Sequence, residues 1–425
     1  MALTATPYRR ALAAIEAVSW RGIKPGLERT EALLHSLDDP HIGLSGVLVA
    51  GTNGKGSVCA TVDSIARAAG LRTVLLVKPH LRSYCERICI DGSAISEEAF
   101  AALIDDVVKA ASSAPADKQP TGFEMLTVAG ILHAARQHAD VVVCEVGMGG
   151  RLDSTNVLDL GVAVVTNVAL DHQEHLGTTI EAIAREKAAI IKQGNAAVTA
   201  ASEPALDVIR ARCTGVGAEL FEVDASRFHA LGVHGIAVET RFAGREMAVR
   251  APLLGAFQAA NVATAVRTAD VLRTRGLPIG GDAVHAGCER VRWPGRMQWL
   301  DGSPPVLLDA AHNPAGMAAM ADSLVTLSRG QPVTAVFAAM RDKDIAGMAQ
   351  ALQRVPNLTV IVTAPAVQRA CSPADLVRHF AVATQPAPDV ATALSLARAS
   401  AGPDGIVLVC GSLYLVGEAL DALEV

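Results

Sequence analysis

Seven consecutive residues, Gly51-Thr52-Asn53-Gly54-Lys55-Gly56-Ser57, carry the densest chemistry in the chain. They follow the apolar run Val47-Leu48-Val49-Ala50 and lead into 58–69, which reads as a helix. A glycine turn between strand and helix aims unpaired backbone N–H groups, and the positive end of the helix, at an anion. Lys55 adds a point charge for outer phosphates and Ser57 a hydroxyl for Mg²⁺. The glycine spacing is shorter than in a Walker A loop, and Gly56 stands where Ser or Thr would follow the lysine. A turn that only reverses the chain is the plainer alternative, yet Gly, Lys and Ser seldom converge here by accident. The stretch reads as an ATP site.

Glu145 comes directly off the apolar run Val141-Val142-Val143-Cys144 and precedes Gly147, Gly149 and Gly150. A carboxylate at a strand end beside a phosphate loop suits a nucleotide-bound Mg²⁺; the alternative is an acid facing solvent. Asp171-His172 follows the strand 162–166, where a histidine is either hydrogen-bonded surface or a ligand. Lys187, in Arg185-Glu186-Lys187-Ala188-Ala189-Ile190-Ile191, sits mid-helix, where lysines are normally solvated. Asp309-Ala310-Ala311-His312-Asn313-Pro314 reads as a ligand-facing loop or as an Asn-Pro turn with capping side chains. Arg296 reaches a cleft or forms an interdomain ion pair.

These residues need a scaffold. At 425 residues the chain is long for one domain. Apolar runs at 47–50, 73–77, 141–144 and 162–166 alternate with helices at 97–111, 125–137 and 179–191, which predicts a doubly wound α/β sheet. Helices are expected at 7–20, 28–37, 204–212 and 261–275, a hairpin around Asp91-Gly92, a proline loop at 112–120 and a small β region at 219–249. The pattern restarts near Arg290 to Arg296, so a P-loop domain over 1–292 and a smaller Rossmann-like domain over 298–425 are expected. In the latter, runs at 306–308, 333–337, 358–362 and 406–410 alternate with helices starting at 315, 345 and 373.

Composition narrows the function. With 51% hydrophobic but only 3% aromatic residues, the core must be built from Ala, Val, Leu and Ile. A net charge of −6 without basic blocks disfavours nucleic acid. Eight cysteines lack zinc spacing and read as reduced thiols. No run reaches the roughly 18 apolar residues of a membrane span, and residues 1–10 lack a signal-type stretch, so a cytoplasmic protein is expected.

Taken together, Gly51 to Ser57, Glu145 to Asn156, Asn167, Leu170-Asp171-His172, Glu186-Lys187-Ala188 and Asp309 to Pro314 resemble the folylpolyglutamate synthase and dihydrofolate synthase family of the Mur ligase superfamily. The likeness extends to Gly22 to Arg29, Pro79-His80-Leu81, Glu86-Arg87-Ile88, Gly122-Phe123-Glu124, Asp342-Lys343-Asp344 and Cys410-Gly411-Ser412. It implies an ATP-dependent ligase that joins glutamate to dihydropteroate or a folate through an acyl phosphate. In that pattern Lys55 and the loop amides hold phosphate, with Ser57 and Glu145 on a first Mg²⁺. His172 matches a ligand of a second Mg²⁺, and Lys187 a lysine that is often carbamylated. Asn261 and Arg296 match nucleotide contacts, Asp309 a ribose or interdomain contact, and His312 a position near glutamate. Lys78, His80, Arg82, Phe123, Asp153 and Ser412 are the substrate-binding candidates. The second domain is expected to close on the first, and a monomer is expected.

One departure stands out. Where the family usually has Ser before Pro-His-Leu, this chain has Val77-Lys78-Pro79-His80, and an ammonium cannot coordinate a cation. Lys78 therefore either replaces part of a second Mg²⁺ or contacts an altered acyl substrate. The rival readings are a paralogous ligase for another pterin-like or aromatic carboxylate, an ATP-binding regulator that has lost ligation, and a P-loop kinase.

Overall fold

The computed structural model describes residues 6–22, 24–115, 118–224 and 227–425. Position 23 of the 22–29 motif, positions 116 and 117 of the proline loop, 225 and 226 of the small β region, and residues 1–5 lie outside the described residues. Two compact units form: one from 1–224, 240–247 and 260–288, the other from 225–239, 248–259 and 289–425.

The first unit is built on an eight-stranded sheet ordered β4-β3-β2-β5-β1-β6-β7-β8. The strands are β1 (Gly46–Ala50), β2 (Thr73–Leu76), β3 (Ile88–Ile90), β4 (Ser93–Ala94), β5 (Val141–Glu145), β6 (Gly161–Val165), β7 (Ala196–Thr199) and β8 (Glu219–Glu222). From β2 to β8 every pairing is parallel, while β3 and β4 turn antiparallel at one edge. Both faces of a parallel sheet are covered by helices, which is why β1 and β5 are buried at every residue and run as Val and Leu without alternation. The core beside them is aliphatic, with Phe100, Ile104, Ile131 and Ile183 fully buried.

Two helix starts place chemistry. The helix after the phosphate loop runs Lys55–Ala68, three residues earlier than expected, because Gly54 takes the N-cap at φ 81°. That left-handed conformation is one glycine adopts without a Cβ clash. The next begins at Gly122, before the expected 125, because Thr121 and Glu124 form a capping box: Glu124 N donates to Thr121 Oγ1 (3.2 Å) and Thr121 N to Glu124 Oε2 (2.7 Å). Arg29 locks the same carboxylate at 2.8 Å, with Glu124 almost wholly buried. Phe123 is thereby held in the first turn.

The expected 219–249 region divides. Glu219–Glu222 is β8 of the main sheet, whereas β9 (Phe228–Ala230), β10 (Ile236–Phe242) and β11 (Arg245–Ala251) form a separate sheet ordered β11-β10-β9. Short alternating strands look alike in sequence whichever edge they join.

The second unit carries a six-stranded sheet ordered β12-β13-β17-β14-β15-β16. It comprises β12 (Gln298–Leu300), β13 (Val306–Asp309), β14 (Val333–Phe337), β15 (Leu358–Val362), β16 (Thr384–Pro386) and β17 (Ile406–Cys410), all parallel except β12. Its core gathers Leu307, Met317, Leu324, Phe337, Met348 and Leu408.

Candidate functional site

Neighbouring parallel strands β2, β5, β1 and β6 end on one side of the first sheet, and the candidate residues follow those ends. The loop after β1 is pinned by the segment after β6. Asn53 N donates to Asn167 Oδ1 (2.9 Å), Thr166 Oγ1 to Asn53 O (2.7 Å), Thr52 N to Asn167 O (2.9 Å), and Ala169 N to Thr52 Oγ1 (3.0 Å). Thr166 and Ala169 were not among the residues singled out from the sequence; only the strand-end position of Asn167 pointed here. A Cβ on Gly51 would meet Thr166 Oγ1 at 1.8 Å, and one on Gly54 would meet Asn261 Oδ1 at 2.2 Å. Asn261 thus lies directly against the phosphate loop. The loop is a rigid cradle of backbone amides.

Two ammonium groups converge on its base. Lys55 Nζ donates to the carbonyls of Gly51 and Thr52, both at 3.1 Å, and Lys187 Nζ donates to Gly51 O at 2.9 Å. Lys187 is 4% exposed, so the expectation of a solvated mid-helix lysine fails: its helix, Ile180–Ala188, turns that face inward. Burial first, and the Lys55 charge second, pull its pKa from 10.5 to about 7.

Glu145 is 5% exposed, which discards the solvent-facing alternative. Its Oε2 accepts from the backbone N of Lys78 (3.1 Å). Lys78 Nζ lies 4.6 Å from the Phe123 ring centroid and donates to Thr127 Oγ1 at 3.3 Å. Ser57 is buried at 3% exposure in the first turn of the loop's helix.

The remaining candidates are placed as follows. His80 Nδ1 accepts from Arg87 Nε (2.8 Å) and its ring lies on Tyr84 at 4.3 Å; burial, then the Arg87 charge, lowers its pKa to about 4. His80 is therefore neutral with its proton on Nε2. Arg82 is exposed, its backbone N given to Glu86 Oε1. Asp153 is taken up by its own loop: it accepts from Met148 N (2.9 Å), Thr155 N (3.0 Å) and Thr155 Oγ1 (2.6 Å). Its part is to hold the Gly147–Gly150 turn against Phe123, where a Cβ on Gly147 would meet the ring at 2.5 Å. His172 is exposed at φ 49° and starts the short helix Gln173–Leu176.

In the second unit, Asp309 accepts from Met297 N and Ala311 N, both 2.8 Å, and burial raises its pKa against the opposing pull of Arg296. His312 Nδ1 donates to Ala310 O (3.0 Å), while Asn313 caps the helix Pro314–Ser328 through Gly316 N (2.7 Å). Ser412, 2% exposed, caps Leu413–Ala422 by accepting from Tyr414 N at 3.2 Å. Both capping roles follow from residue type and position.

The donors at the first site suit a hard cation. Ser57 supplies a hydroxyl and Glu145 a carboxylate, the oxygen donors Mg²⁺ takes. Among the described residues no three His, Cys, Asp or Glu cluster as a metal cage. An ion held here would complete its shell from phosphate oxygens and water, as Mg²⁺ does beside nucleotides.

Comparison with known proteins agrees with this geometry. The Mur ligase middle domain matches residues 49–269 and the Mur ligase glutamate ligase domain residues 295–413. A probable bifunctional folylpolyglutamate synthase/dihydropteroate synthase of Haloferax volcanii is 38% identical over 412 residues, 93% of this chain and 48% of that protein. The chain thus spans about half the length of that relative. A dihydrofolate synthase/folylpolyglutamate synthase of Bacillus subtilis is 32% identical over 423 residues, covering 95% of this chain and 96% of its own. A crystal structure of a bifunctional folylpolyglutamate synthase/dihydrofolate synthase with Mn, AMPPNP and L-glutamate bound has a TM-score of 0.86 and 32% identity, over 99% of this chain and 98% of that one. The chain belongs to the folylpolyglutamate synthase/dihydrofolate synthase family of Mur ligases.

Proposed function

We propose that this chain joins L-glutamate to dihydropteroate, to a folate, or to both, at the expense of ATP. The observation that carries the reading is the rigid phosphate loop, with Lys55 and Lys187 at its base and buried Glu145 on the adjacent strand end. A carboxylate oxygen of the acid bonds to the γ-phosphorus as the bridging P–O bond breaks, and ADP leaves with the electron pair. The amine of glutamate then adds to the acyl carbon of that acyl phosphate, loses a proton, and inorganic phosphate departs.

Such transfers depend on positioning and charge neutralisation. Lys55 and the loop amides bind the β- and γ-phosphates, Asn261 and Arg296 contact the nucleotide, and Asp309 orients its ribose. Ser57 and Glu145 would hold Mg²⁺, which neutralises phosphate charge when bound. His172 would hold a second ion, and carbamylation of Lys187 would turn a buried amine into an anion able to orient that ion. We read His312 as a contact for the incoming glutamate, His80, Arg82 and Phe123 as contacts for the acid, and Asp153 and Ser412 as residues that shape substrate-binding loops. We read the chain as a first domain over 1–292 and a second over 298–425; the second compact unit takes all residues from 289 onward, together with 225–239 and 248–259 from within the first span. No helix among the described residues is long and apolar enough to cross a membrane, and we read the protein as a cytoplasmic monomer.

The test is ADP release with ATP, Mg²⁺ and glutamate, in parallel with dihydropteroate, with tetrahydrofolate and with no acid. Turnover stimulated by dihydropteroate establishes the synthase activity, and stimulation by tetrahydrofolate adds polyglutamylation. Protein that binds ATP but answers to neither acid overturns the folate assignment.

A further inference from the structure

Lys78 is a charged group of the strand-end cluster with no part in the ligation so far. It follows β2, and its backbone N is fixed to Glu145 Oε2. Its half-buried side chain lies over the Phe123 ring, with Nζ on Thr127 Oγ1. That hydroxyl donates to Phe123 O (3.0 Å) and accepts from Ser154 Oγ (2.8 Å), so it meets Lys78 as an acceptor already shared. Among the described residues no carboxylate stands within ion-pair distance of Nζ. One hydroxyl and one ring face leave at least one of the three N–H donors of an ammonium for something else. A half-buried cation with no carboxylate in ion-pair contact gains free energy when an anion arrives.

Strand order identifies the anion. The sequence across the sheet is β2-β5-β1, so Glu145 stands between Lys78 and the phosphate loop. Strands are about 4.8 Å apart, so the two lysine-bearing ends are separated by roughly 10 Å. Nucleotide phosphates cradled at Gly51 to Ser57 are served by Lys55, on the other side of Glu145. We propose that Lys78 is the anchor for the carboxylate of the acyl substrate, binding it against the Phe123 face until the γ-phosphoryl group arrives. This rests on the ligase reading above. A neutral acid or amide of the same shape gains nothing from the ammonium, so Lys78 also selects for the ionised substrate.

The experiment titrates dihydropteroate, and its carboxamide analogue, into wild-type protein and Lys78→Met by pterin fluorescence, without nucleotide or divalent ion. Losing a charge-assisted contact should weaken dihydropteroate binding about 10- to 100-fold, leave the carboxamide unchanged, and leave ATP binding unchanged. Lys78→Arg should restore part of the carboxylate affinity, and circular dichroism checks that both variants fold. Equal affinities of wild type and Lys78→Met for dihydropteroate, or an equal loss for both ligands, overturns the proposal. Wild-type protein that binds neither dihydropteroate nor tetrahydrofolate overturns the folate reading instead. The same titration with whichever acid drives ADP release, against its amide, then decides Lys78.

Discussion

Lys187 Nζ donates to the carbonyl of Gly51 at 2.9 Å, and Lys55 Nζ donates to the same oxygen at 3.1 Å. Two lysines from helices 132 positions apart thus share one acceptor at the base of the phosphate loop. Burial, and after it the Lys55 charge, lower the pKa of Lys187.

The first prediction concerns pH. Folding lowers the Lys187 pKa from 10.5 to about 7, so between those values the unfolded chain holds a proton that the native chain has released. Stability from this group therefore rises as pH climbs through that window and is least below it. Denaturant midpoints of the ligand-free protein should rise from pH 7 to 10 relative to Lys187→Met, which lacks the titration. In ¹³C-bicarbonate the wild type should show a carbamate resonance that the variant lacks and that fades below pH 6.

The glycine at the loop's N-cap supplies a second. Gly54→Ala places a Cβ 2.2 Å from Asn261 Oδ1 at φ +81°, whereas Gly70, at φ +79°, has nothing within 4 Å. Gly70→Ala should cost only the left-handed backbone term, about 1 to 2 kcal/mol. Gly54→Ala should cost more and also weaken ATP binding. Equal losses of stability, with ATP affinity intact, would show that the Asn261 contact yields freely.

Removal of the divalent ion should abolish ADP formation. Glu145→Gln keeps the shape but loses the charge of the buried donor. It should lower kcat about 100-fold or more and shift the Mg²⁺ requirement upward. An unchanged Mg²⁺ titration would remove Glu145 from the metal site.

Arg29 and Glu124 form an ion pair at 2.8 Å, with side chains 16% and 3% exposed. Glu124→Ala leaves Arg29 uncompensated and deletes the capping box that seats Phe123. About 3 to 5 kcal/mol of stability should be lost, measured by urea unfolding. Arg29→Met with Glu124→Leu should recover much of it.

Local pattern decided much of this protein. The helix Glu97–Ala111 and the strands Val333–Phe337, Leu358–Val362 and Ile406–Cys410 fall where periodicity and apolar runs put them. The phosphate loop was legible because glycine, lysine and serine act through backbone geometry set within seven residues. The strand Ala196–Thr199 and the helix Val390–Ala401 were not, since their small residues carry weak periodicity. Charge and burial at the site belong to the tertiary structure. Lys187 reads as a solvated lysine until its helix packs beneath Gly51, and the three donors of its own loop that Asp153, a substrate-binding candidate, accepts from are likewise seen only in the fold. Lys78 stood out as an unexpected residue, but only the tertiary packing set its ammonium on the Phe123 ring face and the Thr127 hydroxyl. A residue's type is written in the chain, whereas its solvation and partners come from segments distant in sequence, and those set its pKa and its chemistry.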